Sequence, residues 1–247
     1  MEDPGELRWS VVIPAYNEAR RLPAYLSEVV AYFDGRGEPY EVIVVDDGSA
    51  DETAACVLEA QSVHQEVTLH RLGENHGKGF AVRVGMRTAR GGLRLMADAD
   101  GATPIAEVKR LETAIQAGAD LAVGSRALRD PSVRREVHLH RKVSGEIFNF
   151  FAQRLGVGDV KDTQCGFKLL RGEVAVALFD ELETDGFGFD VELILLARHH
   201  GYRIVEVAIN WADQPGSKVD VLRDGPRMLG QIVRARLRLA RRDRRRP

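Results

Sequence analysis

Two aspartates placed one residue apart, Asp98 and Asp100, are the strongest candidates for chemistry in this chain. They follow the apolar run Leu93–Ala97 and precede Gly101. Residues i and i+2 of a β-strand point to the same side, so both carboxylates can converge on one cation. Carboxylate oxygens suit Mg²⁺ and Mn²⁺, which often complete their coordination with oxygens of a substrate diphosphate. The structural alternative is a strand end closed by turn-forming Asp and Gly.

Alternating strand and helix patterns in the first half would position these aspartates. The predicted strands are Trp9–Ile13, Tyr40–Val45, Val67–Arg71, Leu93–Ala97 and Ala119–Gly124. The predicted helices between them are about Leu22–Phe33, Asp51–Gln61, Gly79–Thr88 and Ile105–Ala117. Continuous Val and Ile runs between helices indicate an α/β fold whose mostly parallel sheet is buried on both faces. Ligands of such sheets bind at the carboxyl ends of the strands.

The second half has a different pattern, richer in helices. The predicted elements are a helix at Leu139–Leu155, a strand at Phe167–Leu170, helices near Glu173–Glu181 and Asp190–His200, a strand at Arg203–Trp211 and a final helix at about Gly225–Arg242.

Polar residues follow the first two predicted strands. After the first strand, Pro14 interrupts strand pairing, and Tyr16 near Glu18 suits a flat base and its sugar. A proline turn before a helix is the alternative there. After the second strand, Asp46 can accept a hydrogen bond from a base N–H or a ribose hydroxyl, and Asp47 can instead cap the following turn.

Basic residues near other predicted strand ends are candidates for phosphate binding. Lys78 lies between two glycines at a helix N-terminus, where phosphate can bind. Arg126 ends the fifth strand, and Arg141 lies in a basic segment, residues 134–142. Arginine binds phosphate in a bidentate manner, whereas a solvated basic loop is the alternative. Asp190 opens a helix and is either a capping acid or a site carboxylate.

Composition excludes several classes of protein. The formal net charge of the 247 residues is −2, so we expect no nucleic-acid partner. Two cysteines, Cys56 and Cys165, make no disulfide framework and fit a reducing cytoplasm. Residues 1–8 do not resemble a signal peptide, and no apolar run is long enough to span a bilayer. We therefore expect a cytoplasmic protein that is soluble or peripheral to the cytoplasmic membrane face.

The C-terminal segment is strongly basic. Residues 234–247 hold eight arginines and one acid. The helix that precedes and includes them places Leu229, Ile232, Val233 and Leu237 on one face, which is the composition of an interfacial helix on an anionic membrane. The same face could instead pack on the body of the protein or on a partner.

Three segments together closely resemble the nucleotide-sugar-binding half of family 2 glycosyltransferases, which have the GT-A fold. These are Val11–Glu18, Val42–Ser49 and Leu95–Gly101. In that family the positions of Pro14, Tyr16 and Glu18 touch the nucleoside. The resemblance implies a donor site that also includes Ala15, Val44, Asp46, Lys78, Asp98, Ala99, Asp100, Ser217 and Lys218. The last two lie in a loop similar to one that closes over the donor diphosphate, and the metal would be Mg²⁺ or Mn²⁺ on Asp98 and Asp100.

The run Asp162–Lys168 resembles the D-T-Q-C-G-F-K sequence of dolichyl-phosphate glucosyltransferases. This implies inverting transfer of a hexose, most simply glucose from UDP-glucose, to a polyprenyl phosphate held by Arg126, Arg141 and Gln164. The alternatives are a GDP-mannose donor, a hydroxyl acceptor with Asp190 as its base, and a nucleotide-binding protein without catalysis. Ala102 stands where many mannosyl enzymes have a glutamine, which leaves a third metal ligand open. The expected domain spans residues 8–227, with donor half 8–127, acceptor half 128–227 and a basic tail 228–247.

Overall fold

The computed structural model describes residues 7–136, 158, 160–212, 214 and 221–243. Its strands are β1 Trp9–Ala15, β2 Tyr40–Asp46, β3 Val67–Arg71, β4 Leu93–Ala97, β5 Leu121–Ser125, β6 Arg135–Glu136, β7 Phe167–Arg171, β8 Ile204–Ala208 and β9 Trp211–Ala212. Its α-helices are α1 Leu22–Arg36, α2 Thr53–Val63, α3 Lys78–Thr88, α4 Val108–Gln116, α5 Gly172–Glu181, α6 Phe189–His199 and α7 Val221–Asp243.

Seven strands form one sheet in the order β3-β2-β1-β4-β7-β5-β8. All neighbouring pairs are parallel except those of β7, which runs antiparallel to both β4 and β5. The expected mostly parallel α/β sheet is therefore confirmed. Strands β7 and β8, from the second half of the chain, complete the sheet that the first half begins.

Both faces of the sheet are covered by apolar helices. Because side chains alternate along a strand, Val11 and Ile13 of β1 enter one core and Val12 enters the other. The first core includes the apolar sides of α1 and α4, and the second includes those of α3, α5 and α6. This double burial explains why the inner strands β1 and β2 are buried along their whole length, whereas only Val67 is buried in the edge strand β3.

Several predicted boundaries need correction. Strand β1 continues through Pro14 to Ala15, because its pairing with β4 ends at Val12 and only β2 accompanies it further. The strand predicted over 203–211 is two strands, β8 and β9.

Ser49 and Glu52 do not cap helix α2, although their spacing is that of a capping box. Ser49 Oγ accepts a hydrogen bond from the Asn17 amide, and Glu52 makes no capping hydrogen bond.

Helix α7 packs against the body through one side only. Met228, Ile232 and Ala235 are buried, while Val233 and Leu237 are exposed. Arg238 pairs with Glu183, in the loop before α6, and with Glu192, in α6 itself. The predicted apolar stripe is therefore divided, with Ile232 facing the body. None of the helices within the described ranges is long and apolar enough to cross a membrane. The predicted helix 139–155 lies outside those ranges.

Candidate active site

The two aspartates lie beyond the carboxyl end of β4, between two basic side chains. Lys78 Nζ is 2.5 Å from Asp98 Oδ1, and Arg21 Nη1 is 3.7 Å from Asp100 Oδ2. Both carboxylates are partly exposed, with about 37% of the Asp98 side chain and 28% of the Asp100 side chain accessible. The pair is therefore reachable by a ligand and is not a buried structural cluster.

The backbone of the second half fixes Asp98 from behind. The Asp98 amide donates to the Gly166 carbonyl at 3.0 Å, just before β7 begins. A Cβ on Gly166 would lie 1.9 Å from Asp98 Oδ2, so any side chain at this position would force the Asp98 carboxylate to move. Glycine at position 166 is therefore required by the close approach of this carboxylate.

The local charges shift the protonation of this cluster. Burial and the neighbouring charge of Asp98 raise the pKa of Asp100 above its ordinary value, while Arg21 and Lys78 act against that shift. Burial alone would lower the pKa of Lys78, but Asp98 and Asp190 outweigh it and raise that pKa. Lys78 is therefore a firmly charged ammonium among three carboxylates.

Asp190 is neither a helix cap nor an exposed carboxylate. Helix α6 begins at Phe189 after Gly188, and no side chain caps it. Asp190 is buried and accepts a hydrogen bond from Lys168 Nζ, which also donates to the Cys165 carbonyl at 2.7 Å. Burial raises the pKa of Asp190, and the charges of Lys168 and Lys78 oppose that shift.

Asp47 and Asp46 have different surroundings. Asp47 accepts from the amides of His76 and Gly77 at 2.8 and 2.9 Å and from the Asn75 side chain at 3.0 Å. It therefore holds the loop that precedes Lys78, rather than the turn that follows β2.

Asp46 is fully buried at the end of β2, and its Oδ1 accepts from the Ser49 amide at 3.0 Å. Its Oδ2 accepts no hydrogen bond from the described residues, and Arg71 Nε lies 3.7 Å away. An open pocket of about 340 Å³ is lined by Gly48, Ser49, Arg71, Leu72 and Gly73. It includes Ser49 and Arg71, which contact the Asp46 carboxylate, but not Asp46 itself. The exposed Arg71 guanidinium gives this pocket a hydrogen-bond donor that suits the edge of a nucleobase.

The segment after β1 divides into buried and exposed residues. Pro14 and Ala15 are buried in the sheet beside Val45 and Asp46 of β2. Tyr16 is 39% exposed, so its ring is available for stacking. Glu18 is buried and pairs with Arg21, the residue that also approaches Asp100.

The other donor-site candidates show a similar division. Val44 is fully buried within β2, so its side chain belongs to the core, and Ala99 is buried between the two aspartates. Ser217 and Lys218 lie outside the described residues.

Arg126 is held by a bidentate pair with Asp162. Arg126 Nε and Nη2 donate to the two oxygens of Asp162 at 2.7 and 2.8 Å, and the guanidinium carbon lies 5.4 Å from the centre of the Trp211 ring. Burial would raise the pKa of Asp162, but the charge of Arg126 outweighs it and lowers that pKa. Gln164 donates to the Phe187 carbonyl at 3.4 Å. Arg141 lies outside the described residues.

Four further residues belong to this region and were not named individually as site residues from the sequence. Arg21 joins Glu18 to Asp100, Lys168 neutralises Asp190, Asp162 fixes Arg126, and Arg71 lines the pocket. The i, i+3 spacing of Glu18 and Arg21 was a local signal for Arg21. Asp162 and Lys168 lie in the run Asp162–Lys168, which the family resemblance had singled out, but that run did not indicate their partners. The other three pairings join residues distant in the sequence, so no local spacing reveals them.

The donor set at Asp98 and Asp100 fits a hard divalent cation that takes part of its coordination from a ligand. Both side chains offer carboxylate oxygens, the type that Mg²⁺ and Mn²⁺ prefer. Within the part of the chain that the structure describes, no group of three or more His, Cys, Asp or Glu side chains could hold a metal ion. Two carboxylates alone would bind weakly, so oxygens of a bound diphosphate would have to complete such a site.

Comparisons with solved structures show the fold. Glucosyl-3-phosphoglycerate synthase from Mycobacterium tuberculosis, in complex with phosphoglyceric acid, superposes with a TM-score of 0.72 at 18% identity, over 94% of this chain and 80% of that one. A complex of the same synthase with Mn²⁺, UDP and glucosyl-3-phosphoglycerate gives a TM-score of 0.70 at 18% identity, with the same coverage. These are GT-A enzymes, so the expected GT-A architecture is confirmed.

Sequence comparisons show the family. A dolichyl-phosphate beta-glucosyltransferase of Drosophila melanogaster is 40% identical over 89% of this chain and 71% of its own length. The human and Saccharomyces cerevisiae proteins of that name are 38% and 33% identical over 85% and 96% of this chain, and over 69% and 76% of their own lengths. The family model for glycosyl transferase family 2 matches residues 10–179. This chain therefore belongs to glycosyltransferase family 2.

Proposed function

We propose that this protein transfers glucose from UDP-glucose to a dolichyl-type polyprenyl phosphate, with inversion at the anomeric carbon. The observation that carries the proposal is the agreement among the relatives. Those from Drosophila melanogaster, human and Saccharomyces cerevisiae are all named dolichyl-phosphate beta-glucosyltransferases, and each aligns with most of this chain. The run Asp162–Lys168, which resembles their sequence, also lies beside the aspartate pair.

The donor would bind across the carboxyl ends of β1, β2 and β4. Its base would enter the pocket beside Asp46 and Arg71 and stack on exposed Tyr16. Its diphosphate would extend toward Lys78 and Asp98. The loop containing Ser217 and Lys218 would close over it, and Pro14, Ala15, Glu18, Val44 and Ala99 would shape the walls through their backbone and packing.

Asp98 and Asp100 would hold the divalent cation, Mg²⁺ or Mn²⁺, that the donor set fits. When bound, such an ion neutralises the charge that develops on the departing nucleoside diphosphate. Lys78 adds a second positive charge on the same side, and Arg21 keeps Asp100 in place. Stabilisation of the leaving group by fixed charges would supply much of the catalysis.

The surroundings of Asp190 favour a phosphate acceptor over a hydroxyl acceptor. A lipid phosphate is already an anion near neutral pH, so it needs orientation rather than a general base. Asp190, the residue best placed by sequence to be a base, is bound by Lys168 in the interior. Its carboxylate is thus engaged in an ion pair in this structure.

The acceptor phosphate would contact Arg126, together with Arg141 and Gln164. The ion pair with Asp162 and the Trp211 ring fix the orientation of the Arg126 guanidinium. The Arg126 side chain therefore loses less conformational entropy when phosphate binds. Residues 8–127 would then serve mainly the donor and residues 128–227 mainly the acceptor.

The outer side of α7 would place the enzyme on an anionic membrane. Val233 and Leu237 are exposed there beside exposed Arg234 and Arg241. Exposed apolar and cationic side chains on one helix face suit the boundary between acyl chains and anionic headgroups. The opposite side of the same helix is buried on the body, so the body would be held close to the membrane surface.

A donor and acceptor matrix tests the proposal. Purified protein with Mn²⁺ is incubated with radiolabelled UDP-glucose or GDP-mannose and with dolichyl phosphate or 3-phosphoglycerate. Label should enter the organic phase only from UDP-glucose with dolichyl phosphate, and EDTA should abolish it. Transfer from GDP-mannose, or to the water-soluble acceptor in preference to the lipid, would reject the proposal.

A further inference from the structure

Lys78 makes a direct contact with the carboxylate that a divalent cation would need. Its ammonium lies 2.5 Å from Asp98 Oδ1, and about 21% of the lysine side chain is accessible. An ammonium and a divalent cation on the same carboxylate oxygen repel each other, so each weakens the binding of the other there. Binding at Asp98 is therefore a competition between the two cations.

The backbone that carries Lys78 is fixed, whereas its side chain has freedom to move. Asp47 accepts hydrogen bonds from the His76 and Gly77 amides. A Cβ on Gly79 would lie 2.3 Å from the Thr184 carbonyl oxygen, so the start of α3 packs closely on the segment before α6. The four methylenes of lysine allow its ammonium to relocate by several ångströms without backbone movement.

A displaced ammonium would remain in a favourable field. Asp190 and Asp100 also attract Lys78 electrostatically, and these charges keep it protonated. A diphosphate bound beside Asp98 and Asp100 would offer further oxygens to the ammonium. Moving the Lys78 ammonium away thus loses its contact with Asp98. A contact with diphosphate oxygens replaces it only when the diphosphate is bound.

We propose that Lys78 is a displaceable counter-ion, which pairs with Asp98 before the donor binds and transfers to the donor diphosphate when a divalent cation takes Asp98. This inference rests on the proposed function for the identity of the donor. It predicts that metal and nucleotide bind with positive coupling. The metal releases the Lys78 ammonium from Asp98, and the diphosphate gives that ammonium a new partner.

Binding of Mn²⁺, measured by electron paramagnetic resonance of the free ion, tests this inference without an activity assay. Wild type, Lys78→Met and Lys109→Met are titrated with Mn²⁺, alone and with saturating UDP. Lys109 lies exposed on α4 and controls for loss of a positive charge. Wild type and Lys109→Met should bind Mn²⁺ weakly alone, and UDP should tighten binding by about 5-fold or more.

Lys78→Met should bind Mn²⁺ alone several-fold more tightly than wild type, and UDP should tighten its binding much less. Lys78→Arg, which keeps the charge, should bind Mn²⁺ alone no more tightly than wild type, and circular dichroism confirms that each variant is folded. Unchanged or weaker Mn²⁺ binding by Lys78→Met, or undiminished tightening by UDP, would overturn the inference. Failure of wild type to bind Mn²⁺ even with UDP would instead remove the metal from the proposed function, and this inference with it.

Discussion

At the residue scale, the proposed chemistry depends on two carboxylates, Asp98 and Asp100, which repel each other and are balanced by Arg21 and Lys78. Burial and the charge of Asp98 raise the pKa of Asp100. An acid whose folded pKa is raised destabilises the fold above its unfolded pKa, so Asp100 costs stability at neutral pH. Such a cost is expected where a residue is kept for function rather than for folding.

Asp98→Asn and Asp100→Asn should therefore separate activity from stability. Each variant should lose transfer by at least about 10²-fold, because it removes a proposed ligand of the cation that would neutralise the leaving group. The melting temperature should stay close to wild type, and that of Asp100→Asn should be equal or higher because one repulsion is removed. Transfer rates with Mn²⁺ and melting curves check this. Near-normal turnover of Asp100→Asn in EDTA would show that the metal assignment is wrong.

Asp190→Asn distinguishes a positioning carboxylate from a general base. Loss of a base would cost about 10²–10⁴-fold in rate, whereas loss of a structural partner should cost much less per folded molecule. Stability should fall, since the buried charge of Lys168 loses its partner, a change worth about 3–5 kcal/mol. Denaturant unfolding and kcat on polyprenyl phosphate are measured on the same samples.

Two comparisons make the Asp190 result interpretable. Asp180→Asn removes an exposed carboxylate that pairs with Arg87, and it should change neither quantity. Arg126→Ala should lose most of the transfer through weaker acceptor binding. A folded but inactive Asp190→Asn beside an active Arg126→Ala would support a hydroxyl acceptor and reject the lipid phosphate.

At the scale of the elements, the approach of β7 to β4 decides where Asp98 points. Gly166→Ala should displace the Asp98 carboxylate, since its Cβ would lie 1.9 Å from Oδ2. We expect Mn²⁺–UDP binding and transfer to fall sharply while the far-ultraviolet circular dichroism stays close to that of wild type. Gly35→Ala in α1 is the matched control, because its Cβ would meet nothing within 4 Å. Wild-type Mn²⁺–UDP binding by Gly166→Ala would contradict this account of Asp98.

The outer side of α7 gives a prediction about membranes. Replacing Val233 and Leu237 by serine, and Arg234 and Arg241 by glutamine, should abolish co-sedimentation with anionic liposomes at low salt. Transfer to a short water-soluble acceptor phosphate should survive, because these side chains are exposed and distant from the buried side of the helix. Leu58→Ser with Val63→Ser on α2 removes two comparably exposed apolar side chains and should leave liposome binding intact. If the full-length protein does not co-sediment with anionic liposomes at low salt, the membrane proposal is wrong.

The elements of the first half could be predicted from the sequence more closely than the site they form. Strands Val67–Arg71 and Leu93–Ala97 have the predicted bounds. Leu93–Ala97 is an inner strand buried over four of its five residues, whereas Val67–Arg71 is an edge strand in which only Val67 is buried. The antiparallel insertion of β7 between β4 and β5 could not be predicted, since the pairing depends on contacts between residues over 40 positions apart.

The same reason limited prediction of the site residues. Motif spacing selected Asp98, Asp100, Lys78 and Asp46, whose neighbours along the chain show strand ends and a helix start. It did not indicate that Lys168 would neutralise Asp190 or that Asp162 would hold Arg126, because each pair joins residues from separate elements. Lysine side chains are also rarely buried, so the usual expectation for Lys168 is an exposed position.

At the scale of the whole molecule, one sheet joins the two halves of the chain and gathers their charged residues at one edge. β7 carries Lys168 between β4 and β5, and the residues just before it bring Gly166 against Asp98. Arg126 follows β5 on the same edge, and the charge of Asp98 reaches it. Donor and acceptor would thus meet over a single rigid support, which suits direct displacement in one step.

The structure and linkage of the lipid product test this account most directly. Protein, Mn²⁺, UDP-α-glucose and dolichyl phosphate are incubated, and the extracted lipid is analysed by mass spectrometry and by the anomeric proton–proton coupling in nuclear magnetic resonance. A single direct displacement predicts a glucosyl phosphate lipid with the β configuration. An α-linked product, a sugar attached elsewhere than on the phosphate, or a glucosylated water-soluble acceptor without any glucosyl lipid would contradict it.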